Sequence, residues 1–144
     1  MSQHVKIELF EISAHELRMQ VDPLNGALWG CEAIQESDVM RAVSRGDLET
    51  QHWDGVKDEL HGPESRDFHI RRIAFFVQTG LPDDDHRIRL GVDGADQSPI
   101  RIDNGNHRLA AAFIRQDPTV RALLYYFDAS EVAVALPSAR RIDG

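Results

Sequence analysis

Polar and apolar residues alternate near the start of the chain. Val5, Ile7 and Leu9 fall on one side of a period-two pattern, so Val5 to Ile12 reads as a strand with a partly wet face. Ser13-Ala14-His15-Glu16 follows, and a serine with a glutamate three residues on is the sequence form of a capping box, opening a short helix through Met19. Asp22-Pro23-Leu24-Asn25-Gly26 ends it with turn chemistry. Ala27 to Ile34, which holds Trp29, Gly30 and Cys31, fits neither period. A second helix is expected from Ser37 as N-cap to Ser44 or Arg45, with Val39, Met40 and Val43 on one face and Gly46 beyond its end. Asp47 to Gly62 is polar, contains Trp53 and His61, and reads as a loop or a short helix.

The helical period is clearest over Glu64 to Thr79, where Ile70, Ile73, Ala74 and Val77 recur between Pro63 and Gly80. Such an amphipathic helix is expected to cover a sheet. Leu81-Pro82-Asp83-Asp84-Asp85 makes a turn, its three aspartates reading as a solvated loop rather than a metal site. A strand follows over Arg87 to Val92, with Ile88 and Leu90 inward and Arg87 and Arg89 outward. After a turn over Asp93 to Ser98, Ile100 and Ile102 flank Arg101 in a short strand, Asn104-Gly105 breaks it, and Asn106 to Gln116 is helical up to Asp117-Pro118. Val120 to Phe127 is apolar enough on both sides to be a central, and last, strand. Ala129 to Gly144 reads as a peripheral tail.

A chain of 144 residues, 42% hydrophobic and 28% charged, suits one domain with its own core. The single cysteine, Cys31, excludes an internal disulfide and a four-cysteine zinc site, and a reducing cytoplasm is the simplest compartment. No stretch approaches the twenty or so apolar residues of a membrane span, so no membrane is expected as partner. The net charge is -8. Residues 1 to 62 carry twelve acids against five bases, and residues 63 to 144 carry twelve acids against eleven bases, all arginine, which puts any anion site in the second half. Overall acidity argues against strong nonspecific DNA binding, although Arg71, Arg72, Arg101 and Arg108 are candidates for a local basic patch.

The segment richest in chemistry is Ile100-Arg101-Ile102-Asp103-Asn104-Gly105-Asn106-His107-Arg108-Leu109-Ala110-Ala111-Ala112, a strand joined to a helix through a tight turn. The first amides of such a helix lack intrahelical partners and face outward with the positive end of the helix dipole, which favours an anion. Gly105 accepts a positive φ and lets a phosphate come close, Arg108 adds a bidentate clamp, and His107 a ring donor. Arg71 or Arg72 is in reach from a neighbouring helix, although a solvated face is the plainer role for both. His52, His61 and His69 lack the close helical spacing of a zinc pair and read as scattered surface histidines, and no metal site is expected. Cys31, near Trp29, reads as a small buried residue rather than a nucleophile.

The motif Gly105-Asn106-His107-Arg108-Leu109-Ala110-Ala111-Ala112, preceded by Ile102-Asp103-Asn104, resembles the Asp-Gly-x-His-Arg-x-Ala-Ala signature of the ParB/sulfiredoxin superfamily, including its small phage and plasmid members. With the helix Arg72 to Gly80 the resemblance spans roughly residues 68–127. It implies a compact α/β (α+β) domain, a small mixed sheet with flanking helices, whose turn holds the phosphates of ATP or CTP, with or without Mg2+, on Gly105, Asn106, His107 and Arg108, aided by Arg72. Phosphoryl transfer or nucleotide hydrolysis would then fall to His107 and Asn106, and whether the protein is an enzyme stays open. Sulfiredoxins place a reactive cysteine where Asn106 stands, and asparagine forms no thiolate. Chromosome-partitioning ParB proteins carry Gly-Glu-Arg-Arg, where Asn106 and His107 now replace the glutamate and first arginine, although asparagine can still ligate a hydrated magnesium ion. The alternative is a non-catalytic interaction module working with phage or plasmid DNA-handling proteins.

Overall fold

A computed structural model describes residues 4–50, 62–81, 88–93 and 99–142. The aspartate turn, Arg87, most of the turn after Asp93, and His52, Trp53 and His61 lie outside the described residues.

The architecture is mixed α+β. Strands β1 (Lys6–Ser13), β2 (Arg89–Val92), β3 (Ile100–Asn104), β4 (Thr119–Tyr126) and β5 (Arg140–Arg141) form one sheet in the order β3-β2-β4-β1-β5. β2 and β4 pair in parallel, and the other neighbours are antiparallel. The parallel pair requires a crossover. It is supplied by β3, the turn at Gly105, and helix α4 (Asn106–Arg115), which returns the chain to β4 beside β2.

Burial along β4 alternates strictly, with Val120, Ala122, Leu124 and Tyr126 inward. Across the ladder, Ala122 faces Phe10, Val120 faces Ile12 and Leu124 faces Leu90, so these residues share one face. Leu109, Ala112 and Phe113 of α4 pack onto it. β4 is therefore central as expected, but it is buried on one side rather than both. On β1 it is Phe10 and Ile12 that enter the core, while Val5, Ile7 and Leu9 lie on the opposite, wetter side.

The opposite flank of α4, formed by Ala110, Ala111 and Ile114, builds a second apolar cluster with α3 (Arg66–Thr79), α2 (Glu36–Arg45) and Trp29. Helix α3 thus packs between α2 and α4 rather than covering the sheet. It is buried nearly all round, through Phe68, Ile70, Ile73, Ala74 and Phe76, so the single apolar stripe expected of an amphipathic helix is replaced by a core helix. Its start differs slightly from expectation: Pro63–Ser65 forms a single 3-10 turn before it. At α2 the N-cap is Gln35 rather than Ser37, in a reciprocal capping box with Asp38. Asp38 also takes Arg66 at 2.7 Å, tying α2 to α3.

The expected capping box at Ser13 forms only in part: Ser13 Oγ accepts the Glu16 amide, and α1 (Ala14–Arg18) follows. The segment read as a peripheral tail is instead built in. Helix α5 (Ala129–Ala135) starts with a capping box between Asp128 and Glu131, and it buries Val132, Ala135 and the following Leu136 in the sheet core. Val120 to Phe127 is consequently not the last strand, because β5 then pairs with β1. Arg141 bonds Glu8 at 2.9 Å, and Glu8 also accepts a short bond from the Tyr126 hydroxyl. That bond, followed by Arg141, holds the Glu8 carboxyl below its usual range, while burial and the Glu8 contact push Tyr126 up to about 12.

Candidate functional site

The turn between β3 and α4 is made in one residue. Asn104 Oδ1 accepts the Gly105 amide at 2.8 Å, and Gly105 sits at φ +90° as the N-cap of α4. An L side chain would pay about 1–2 kcal/mol for the left-handed region. No side chain caps this helix at Gly105, and the first amide to bond back onto the Gly105 carbonyl is that of Leu109, at 2.9 Å. The amides of Asn106, His107 and Arg108 precede it, at the positive end of the helix dipole.

Three aromatic rings stack behind this turn. His69 on α3 is fully buried rather than the surface histidine expected, because the packing of α3 on α4 sets its Nδ1 2.8 Å from Nε2 of His107, and one ring donates while the other accepts according to their tautomers. Trp29 lies nearly parallel to both, with centroids 3.9 Å from His69 and 4.9 Å from His107. Its position comes from a 3-10 turn, Ala27–Trp29, flanked by Gly26 and Gly30, and the Trp29 carbonyl accepts the Gly62 amide at 2.7 Å. This loop is the part of the site that sequence reasoning missed. A tryptophan between glycines in a stretch of no clear period was the available signal.

Two guanidinium groups meet on the ring of Phe76, Arg72 at 4.6 Å and Arg108 at 4.3 Å from its centroid. Arg72 is not on a solvated face as expected: it is 7% exposed and donates to the Glu49 carbonyl at 3.1 Å. The Glu49 amide in turn bonds the Arg71 carbonyl, so the 49–50 strap is clipped to α3. Burial first, then the neighbouring His69, Arg72 and Arg108, push His107 down to about 3, and the ring is neutral at physiological pH. The nearby helix N-terminus acts in the same sense.

Gly105, Asn106, His107, Arg108 and Arg72 are therefore gathered at one end of α4. One expectation changes in detail, since the ring of His107, read as a donor to an anion at the turn, has its Nε2 engaged inward with His69. Arg101 stands apart, paired with Asp103 at 2.6 Å on the strand before the turn. Cys31, remote in sequence, belongs to the same loop as Trp29 and is half-buried. Among the described residues no group of three His, Cys, Asp or Glu side chains is placed to hold a metal ion. A separate cleft of about 330 Å³ lies at the far end of α4, lined by His15, Arg18, Phe113 and Asp117 among others. Among the described residues no helix is long and apolar enough to cross a membrane. No family model, curated protein or solved structure matches this chain.

Proposed function

We propose that the protein binds a nucleotide in the manner of small ParB/sulfiredoxin-like domains, its phosphates held at the amino end of α4 by the amides after Gly105 and by Arg108. The observation that carries this reading is the convergence of Arg72 and Arg108 on Phe76 beside an α4 N-terminus that Gly105 leaves without a side-chain cap. Helix amides and guanidinium groups are the usual means by which a fold holds phosphate oxygens. A neutral His107 at neutral pH adds no positive charge but offers a ring that a nearby dianion would make more basic. Magnesium, where present, would arrive with the nucleotide, and Asn106 is the first helical residue available to it. ATP and CTP are the first ligands to test, and phosphoryl transfer or hydrolysis is secondary to binding in this reading.

Calorimetric titration with ATP, CTP, GTP and inorganic phosphate, with and without Mg2+, tests it. Arg108→Ala is expected to weaken binding by about 1.5–3 kcal/mol, the range for a hydrogen bond to a charged group. Equal affinity in the two proteins, or no binding by the wild type, removes the assignment.

A second reading, that of an interaction module, is favoured by a different observation: one face of the sheet is left uncovered by any described helix and exposes Val5, Ile7 and Phe127.

A further inference from the structure

The uncovered face follows from the strand register. Opposite the core, Ile7 pairs with Tyr125, Leu9 with Leu123 and Glu11 with Arg121, while Arg89 and Gly91 of β2 lie beside Leu123 and Tyr125. Arg101 reaches over Gly91 from β3, and Arg140 stands beside Glu11 on β5. Val5 and Phe127 lie just beyond the last paired residues of β1 and β4, Lys6 and Tyr126. Ile7 and Val5 are each 50% exposed and Phe127 is 49% exposed. The remaining large hydrophobic side chains exposed among the described residues are Met19 just after α1, Met40 on α2 and Val134 on α5. Apolar exposure is thus concentrated on this face rather than scattered. Helices α4 and α5 cover the opposite face.

We infer that this face is the interface of a homodimer, occupied by a second copy of the chain packed sheet against sheet. Charge and size select that occupant. Any two copies, each at -8, repel one another through most of their surfaces. Among the described residues Arg89, Arg101, Arg121 and Arg140 stand on this face with the acids Glu11 and Asp103, and Asp93 is close enough to act on Arg101. Glu11 is bracketed by Arg140 at 3.1 Å and Arg121 at 3.8 Å, and Asp103 is paired with Arg101. The flanks therefore carry both signs, so a two-fold axis through the apolar strip brings mixed rims together without a like-charge block. Five strands of this length offer a face of roughly 20 by 25 Å. That is roughly 500 Å² in plan, below the ~800 Å² per partner of a standard interface and in the range of a weak, micromolar dimer. The same paired acids disfavour a single-stranded nucleic acid, which would need the arginines released for its phosphates.

Sedimentation equilibrium up to about 100 µM, where an interface of micromolar Kd is populated, tests the inference. The wild type is expected to be a dimer whose association strengthens as sodium chloride rises from about 0.05 to about 0.5 M, because salt screens the net repulsion and leaves apolar contact intact. Ile7→Glu and Phe127→Glu, both at half-exposed positions, are expected to give monomers with unchanged circular dichroism, whereas Val134→Glu on α5 remains dimeric. A monomeric wild type, a dimer that survives both face substitutions, or a dimer that dissociates with added salt overturns the inference. So does tight binding of a labelled oligothymidylate that is lost in Ile7→Glu, which would make nucleic acid the occupant. None of these outcomes depends on nucleotide binding at α4.

Discussion

His107 couples the site to acidity, and the direction follows from where its proton goes. In the folded chain it titrates at about 3, and in the unfolded chain near its ordinary 6.5. Above pH 6.5 neither state holds the proton, and His107 contributes nothing to the pH dependence. As pH falls from about 6.5 towards 3 the unfolded chain takes up a proton that the folded one refuses, so stability declines by at most about 1.4 kcal/mol per pH unit. The lowered carboxylates Glu8, Asp38 and Asp128 lose their favourable contacts further down, below their ordinary 4.5 and 3.8. Between pH 6.5 and 5 the histidine effect is therefore separable from theirs. Urea unfolding across that window should show a shallower slope in His107→Gln than in the wild type; identical slopes would mean that the ring is already protonated or is open to water. Asn106 and Arg108 were legible as residues of the anion turn because glycine, helix start and arginine each have a local chemistry. The inward partner of His107 was not, because His69 lies thirty-eight residues earlier and only the packing of α3 on α4 brings it near.

Among the elements, the loop bearing Trp29 depends on backbone that no other residue can supply. Gly26 lies at φ +81°, and a Cβ there would stand 2.5 Å from the Cys31 carbonyl and 2.6 Å from that of Glu32, both rigid backbone atoms. Gly26→Ala should therefore cost at least about 2 kcal/mol, more than the left-handed φ alone. It should also displace Trp29 from the histidine pair, visible as a changed imidazole spectrum by NMR; a variant with wild-type unfolding midpoint and histidine signals would disprove it. The regular elements β4, α2 and α4 were readable in place and type, although β4 read as apolar on both sides and is buried on one, and Met40, read into the apolar face of α2, is exposed while Ala42 is buried in its stead. The reading failed where tertiary contact decided the outcome. Val5, Ile7 and Leu9 form a correct strand pattern, but the choice of core face fell to Phe10 and Ile12, because these match Ala122 and Val120 across the ladder. The same is true of α5, where Val132, Ala135 and Leu136 are too few to announce a core element by sequence alone.

At the scale of the whole molecule the arginines do not merge into one basic surface. Arg72 and Arg108 share Phe76, Arg101 is bound to Asp103, and Arg121 and Arg140 flank Glu11. With the net charge at -8, random duplex DNA should bind no tighter than about 10⁻⁴ M at physiological salt, the weak end of nonspecific binding. An anisotropy titration showing micromolar affinity with a steep salt slope would contradict this. Helix α4, finally, is the wall between the two apolar clusters, with Leu109, Ala112 and Phe113 committed to one and Ala110, Ala111 and Ile114 to the other. Loosening it empties both at once, so its hydrogen-bonded amides, from Leu109 onwards, have no cheap local opening by which to exchange with deuterium. They should exchange at the rate of complete unfolding, slower than those of α1 or α5. A ligand at its amino end would then meet a surface already in its final shape, and association would proceed in a single phase whose rate rises linearly with ligand concentration, without a slow rearrangement.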